Sequence, residues 1–185
     1  MNQEQFTKFV AFCARCHEGQ HRKDKITPYF SHPSRVALLY LKYQQKVSYL
    51  HLSIAYGHDL IEDCIEPSEL IEFLDSTTIK QSEKLILFNY ILALTENKNI
   101  KPRSDRKKEY INRLISNNDN NLLIIKLCDR LDNLNDDGMT KKFLKITYLD
   151  ESEELLNKIN KEIGYETRIA KDLKKRICQL KEVIK

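Results

Sequence analysis

The chain has 185 residues, 41% of them hydrophobic and 31% charged, with a formal net charge of +4; this is long enough for a core without disulfides and excludes a disordered or membranous composition. Only four Gly and four Pro occur and Trp is absent, which favours long helices over a many-turned β architecture. Opposite charges are interspersed almost throughout, so the small excess does not call for a nucleic-acid partner, and no apolar run is long enough to span a bilayer.

Helical periodicity runs through nearly every segment, and no alternating strand stands out. A first helix is expected from about Gln3 to His17, with Phe6, Phe9, Val10 and Cys13 on one face. It carries Cys13-Ala14-Arg15-Cys16-His17, which matches the attachment signature for c-type haem. That chemistry needs export, and the polar Met1–Gln5 followed by a stretch broken at Lys8 and Arg15 is no secretion signal. The motif is therefore read as helix-packing thiols, the five Cys as reduced, and the protein as cytoplasmic. A polar loop, Glu18 to Pro33, leads to a second helix through Tyr43, with Pro33 in its first turn and Val36, Leu39 and Tyr40 inward. A third helix is expected over roughly Ser48 to Asp63, then short helical material from Pro67 to Leu74 and a longer helix from Ile79 to Leu94. Thr95–Ser104, with Pro102, reads as a loop, followed by helices over about Asp105–Ile115 and Asn121–Leu134. Asp136-Asp137-Gly138 reads as a turn, and two charged amphipathic helices, Lys141–Ile163 and Tyr165–Ile184, complete an all-α bundle. No repeat or low-complexity linker divides it, so one domain is expected over residues 1–185, with the last helices packing on the core.

The chemistry concentrates in three islands. In His58-Asp59-Leu60-Ile61-Glu62-Asp63, helical spacing sets His58 beside Glu62, and Asp59 beside Glu62 and Asp63. An exposed acidic helix end would explain Glu62 and Asp63, but not His58 and Asp59, which follow the apolar Ile54-Ala55-Tyr56-Gly57. Upstream, His32 stands just ahead of a helix start; downstream, Asp129 lies in the strongly apolar Ile124–Leu134. A lone buried Asp is costly unless it is paired or ligates a metal. His32, His58, Asp59 and Asp129 together offer two nitrogens and two oxygens, a set that suits Mn²⁺, Fe²⁺ or Zn²⁺ better than Mg²⁺ or Ca²⁺.

The order H…HD…D resembles the HD-domain metal-dependent phosphohydrolases, and more closely the hydrolase domain of RelA/SpoT-type alarmone enzymes. The likeness is carried by Gly19-Gln20-His21-Arg22-Lys23, Thr27-Pro28-Tyr29 through His32-Pro33, Val36-Ala37, His58-Asp59 through Glu62-Asp63, and Lys126-Leu127-Cys128-Asp129-Arg130-Leu131-Asp132-Asn133-Leu134, and it extends from about Phe6 to Leu156. It implies a compact HD-domain bundle that hydrolyses guanosine 3′,5′-bis(diphosphate), ppGpp, and the related pentaphosphate at the 3′-diphosphate, releasing pyrophosphate and GDP or GTP respectively, as in the stringent response. The matching positions give His32, His58, Asp59 and Asp129 as ligands, usually for Mn²⁺, and Glu62 and Asp63 as the pair that activates and orients water. Arg22 and Lys23 match the basic loop against the substrate, and Asn133 a residue near the nucleotide.

The residues themselves agree with that chemistry. A substrate with phosphates at both ends needs fixed cations, and Arg22, Lys23 and Lys25 form one cluster for them. Lys101, Arg103, Arg106 and Lys107 form a second, for which surface charge and substrate binding are equally good readings. Tyr148 suits either stacking on a base or a buried helix position. Where the alarmone branch generally has an Arg and then a Thr, this chain has Asn135 and Asp136, and an Asp beside a polyphosphate repels it unless solvent or a cation intervenes. The segment before Pro28-Tyr29 also lacks the Gly often found there. Two other functions fit the same residues: a phosphatase for another nucleotide or a phosphorylated cofactor such as NADPH, and a non-catalytic nucleotide sensor. The expected partner is a small nucleotide, with no nucleic acid and no membrane.

Overall fold

The structure, a computed structural model, describes residues 1–136, 145–164 and 166–184. Among them the chain is all-helical, and the only β pairing is an isolated antiparallel bridge between His21 and Pro28. The helices in order are α1 (Gln3–Cys16), α2 (Ser31–Tyr43), α3 (Tyr49–Gly57), α4 (Leu60–Asp63), α5 (Pro67–Asp75), α6 (Gln81–Leu94), α7 (Arg103–Ser116), α8 (Asn120–Asn135), α9 (Ile146–Ile163) and α10 (Arg168–Ile184). The turn expected at 136–138 and the helix starts expected at Lys141 and Tyr165 fall wholly or partly outside the described residues. No described helix is long and apolar enough to cross a membrane, and none of the five cysteines is in a disulfide.

The centre of the bundle is α8. It packs against α2, α3, α7, α9 and α10, and every residue from Leu122 to Asp132 is buried. A helix covered on all sides can be apolar all round, as Leu122-Leu123-Ile124-Ile125 is; the charged Lys126, Asp129, Arg130 and Asp132 are then buried by the same neighbours and must find partners inside. Asp119 starts the helix by accepting the amide of Asn121 at 2.7 Å. The two last helices, α9 and α10, pack on each other and on α8.

Three boundaries depart from expectation. Helix α2 starts two residues early, at Ser31, so His32 lies on the helix rather than ahead of it. Helix α7 starts at Arg103, directly after Pro102, inside the stretch expected to be loop. Most consequentially, the single helix expected over Ser48–Asp63 is broken at His58 and Asp59 into α3 and α4. Gly57, on the last turn of α3, is pressed against the core: a Cβ there would stand 2.8 Å from Ile91 Cδ1 and 3.0 Å from Phe9 Cζ. Gly57→Ala is therefore expected to destabilise the protein by about 1–3 kcal/mol, read by denaturant titration, because both contacts are side chains in a packed core.

Candidate metal centre

Four side chains from three elements converge beside α8. His32 comes from the first turn of α2, His58 and Asp59 from the break between α3 and α4, and Asp129 from the middle of α8. The two Nε2 atoms of His32 and His58 lie 3.2 Å apart. Asp59 Oδ1 is 3.1 Å from His58 Nε2 and its Oδ2 is 3.5 Å from His32 Nε2. Asp129 Oδ1 lies beside the two imidazoles, 3.3 Å from His32 Nε2 and 3.7 Å from His58 Nε2. Ligand atoms of His32, His58 and Asp59 all lie within 4.8 Å of one another, close enough to hold one ion.

The rings are turned for this. His58 Nδ1 donates to the Ala55 carbonyl at 2.9 Å, an atom that can only accept, so the neutral ring carries its hydrogen there and leaves Nε2 free. His32 Nδ1 meets the Asp132 carboxylate at 2.7 Å with the same result. Two Nε2 lone pairs and two carboxylates thus face each other in a buried space, and only a positive charge balances them. The mixed nitrogen and oxygen donors fit a divalent transition ion.

Protons answer the same need when metal is withheld. Burial lowers the proton affinity of His32, but hydrogen bonds with Asp129, Asp132 and Asp59 outweigh it and push its pKa up to about 9. For His58 burial is again opposed, by the charge of Asp59 and by Asp129, and the pKa rises to about 10. Burial pushes the carboxyls of Asp59 and Asp129 upward. The His58 charge and bonds from both imidazoles hold Asp59 well below the usual carboxylate range, as Lys126 and the imidazoles do for Asp129. The sign follows: a raised imidazole pKa adds stability that is complete below about 6.5 and is lost as pH climbs through 9 and 10. The depressed carboxylates act oppositely, adding stability above about 3.8 that is lost in acid. Chelator-treated protein is therefore expected to lose melting temperature steadily from pH 7 to pH 10. Mn²⁺ should flatten that decline, because it takes the place of the protons; a decline of equal slope with and without metal would contradict the arrangement.

Around these four side chains lies a continuous layer of charges. Arg35 grips Asp132 with two bonds of 2.7 and 2.9 Å and reaches Asp136 Oδ2 at 3.0 Å. Arg22 Nε meets the same Asp136 oxygen at 2.9 Å, while its Nη2 donates to Asn133 Oδ1 at 2.7 Å. Asn133 in turn donates to Asp129 Oδ1 at 2.6 Å, and Lys126 Nζ holds Asp129 Oδ2 at 2.6 Å. The repulsion expected from Asp136 is thus answered by two arginines. Arg22 itself, expected to be open to phosphate, is only 8% exposed and lies over the Tyr29 ring at 5.2 Å.

The acidic pair borders the centre. The Tyr29 hydroxyl lies 2.8 Å from Asp59 Oδ2 and 2.7 Å from Asp63 Oδ2, bridging Asp63 to the centre. Tyr29 is held flat against His17, with ring centroids 4.8 Å apart. Glu62 Oε2 accepts the Glu96 amide at 3.3 Å, and burial, aided by the charge of Asp59, raises its pKa. Lys98 donates to the Glu62 carbonyl at 3.0 Å and stands 3.7 Å from Asp63.

The remaining expected residues are less close. Lys23 is exposed, and partial burial and the Arg22 charge lower its pKa. Lys25 is exposed in the turn closed by Arg22 and Thr27, where it adopts the left-handed φ of 63° that a Gly would take without strain. Arg106 faces Glu96 at 3.4 Å, Lys107 also pairs with Glu96, and Arg103 binds Glu151 with bonds of 3.0 and 2.7 Å, so this cluster is largely internal ion pairing. Tyr148 carries the Arg130 guanidinium 4.4 Å above its ring, which favours the buried reading over base stacking. Of the haem-like motif, Cys13 is in the core and His17 bonds Gln20 at 2.9 Å, as packing residues. Sequence reasoning gave no role to Arg35, Asp132, Lys126 or Tyr29.

No family model matches the chain, and no curated protein matches it in sequence. Its structure is similar to that of a metazoan orthologue of SpoT that hydrolyses ppGpp and plays a role in starvation responses, with a TM-score of 0.76 over 97% of each chain at 20% identity. The likeness bears out the fold implied by the resemblance, an all-helical HD-type bundle.

Proposed function

We propose that this chain is a divalent-metal-dependent phosphohydrolase acting on guanosine 3′,5′-bis(diphosphate), removing the 3′-diphosphate as pyrophosphate. The observation that carries the reading is the inward convergence of His32 Nε2, His58 Nε2, Asp59 and Asp129 Oδ1, with Asp63 bridged to Asp59 by the Tyr29 hydroxyl. A cation held by those four, Mn²⁺ in the first instance, supplies Lewis acidity toward a phosphoryl oxygen and toward water.

The protein's own groups do the rest. Glu62, whose pKa is raised mainly by burial, is suited to take the proton of the attacking water, and the backbone amide of Glu96 fixes its carboxylate. Asp63, held by the Tyr29 hydroxyl, orients that water. Water adds to the phosphorus next to the 3′-oxygen, the 3′-oxygen–phosphorus bond breaks, and the proton passes to the departing 3′-oxygen. Asn133 and Lys126 keep Asp129 in place, while Lys23 and Arg22 provide positive charge for the phosphates. The SpoT orthologue of like fold hydrolyses ppGpp, which supports this substrate.

The test is to incubate the purified chain with Mn²⁺ and a panel of nucleotides, NADPH among them, and to identify the phosphorus species released. Pyrophosphate from guanosine 3′,5′-bis(diphosphate) is the expected result. Orthophosphate alone, or release only from NADPH, would overturn the substrate; no release from any member would overturn the enzyme.

A further inference from the structure

We infer that Asp136 is a built-in competitor for substrate phosphate at Arg22, so that it sets how much a second phosphate group contributes to binding. The inference rests on the phosphohydrolase reading above and narrows its substrate recognition. One oxygen, Asp136 Oδ2, sits 2.9 Å from Arg22 Nε and 3.0 Å from Arg35 Nη2. A carboxylate oxygen shared by two guanidiniums occupies the position a phosphate oxygen takes in a double-arginine site.

Charge makes the competition effective. Arg22 and Arg35 each already face a carboxylate, Arg22 that of Asp136 and Arg35 those of Asp132 and Asp136, so part of their charge is neutralised before a polyanion arrives. Neither arginine depends on Asp136 for its position. Arg35 keeps both bonds to Asp132, and Arg22 keeps Asn133 at 2.7 Å and the face of Tyr29. Arg22 is also well sited for a second phosphate group, because Asn133 joins it directly to the ligand Asp129. A nucleotide with one phosphate group at the metal centre brings the other to Arg22 only by displacing the Asp136 carboxylate or by sharing the guanidinium with it.

The experiment uses Asp136→Asn, which keeps an accepting oxygen and removes the charge. GDP, the product left after loss of the 3′-diphosphate, is titrated calorimetrically into the full Mn²⁺-loaded chain at low, fixed ionic strength. The variant is expected to bind GDP about tenfold more tightly, the size of one removed like charge at a partly buried site. Adding Arg22→Met to the variant should abolish the gain. Unchanged or undetectable binding in the Asp136→Asn protein would overturn the inference, and so would weaker binding with a lowered melting temperature, which marks Asp136 as a strut. Because GDP binding is read without turnover, a failure to release pyrophosphate would sink the substrate reading separately.

Discussion

Glu62→Gln combined with Asp63→Asn is expected to lower turnover by about 10³-fold or more while leaving metal content unchanged. Both substitutions keep size and hydrogen bonding. The Glu96 amide still finds an oxygen at position 62, and Lys98 donates to the Glu62 backbone carbonyl, which no side-chain change removes. At position 63 the Tyr29 hydroxyl retains Asp59 as acceptor at 2.8 Å, so the ligand set stays supported. What is lost is the raised basicity of Glu62 and the negative charge of Asp63. Metal is measured by elemental analysis and turnover by phosphate release. Unchanged turnover would remove both residues from the chemistry; parallel loss of metal would recast them as supports of the centre.

How much of this centre was legible in the sequence depends on the range of the interaction. His58, Asp59 and Asp129 stood out because charge in an apolar helix has to be compensated, a rule that needs no coordinates. The break at His58 was hidden, because Ile54 through Ile61 reads as one uninterrupted helix. Its cause is tertiary and side-chain: Gly57 is pressed onto Ile91 and Phe9, and His58 Nδ1 takes the Ala55 carbonyl that an unbroken helix would offer to the Asp59 amide. His58 and Asp59 meet at one point, Nε2 and Oδ1 being 3.1 Å apart, although a regular helix sets adjacent residues about 100° apart.

The layer behind the ligands was half legible. Arg35 lies three residues beyond His32, Asp132 three beyond Asp129 and Lys126 three before it, each on the ligand's own helix face. Helical spacing therefore names them as neighbours of the ligands. It does not show that Arg35 crosses 97 residues of sequence to grip Asp132, or 101 to reach Asp136. Nor does it show that Asp136 meets cations from the loop before α2 and from α2 itself, Arg22 and Arg35. Arg22 shows the same limit in reverse: sequence groups it with Lys23 and Lys25, which are exposed, yet Arg22 alone is buried, against Asn133, Asp136 and the Tyr29 ring.

On the proposed function Asp129 serves both stability and metal binding, and the two can be separated. Asp129→Ala is expected to abolish metal binding and turnover and to destabilise the fold by about 3–5 kcal/mol. The second effect comes from Lys126: its ammonium, buried and held well above its ordinary pKa by Asp129 against the cost of burial, would lose its 2.6 Å partner. Asn133 would also lose the acceptor for its 2.6 Å bond. Combining Lys126→Met with Asp129→Val removes both charges with little added volume, and most of the stability should return, because an apolar pair in a well-packed site commonly matches the ion pair it replaces. Turnover and metal binding should not return, since the oxygen facing His32 and His58 is gone. Denaturant titration and metal analysis on the three proteins check this. Retained metal in Asp129→Ala would remove Asp129 from the ligand set. A double variant as unstable as the single one would trace the loss to the unbalanced imidazoles rather than to Lys126, and so would move the energetic weight of the site from the ion pair to the metal.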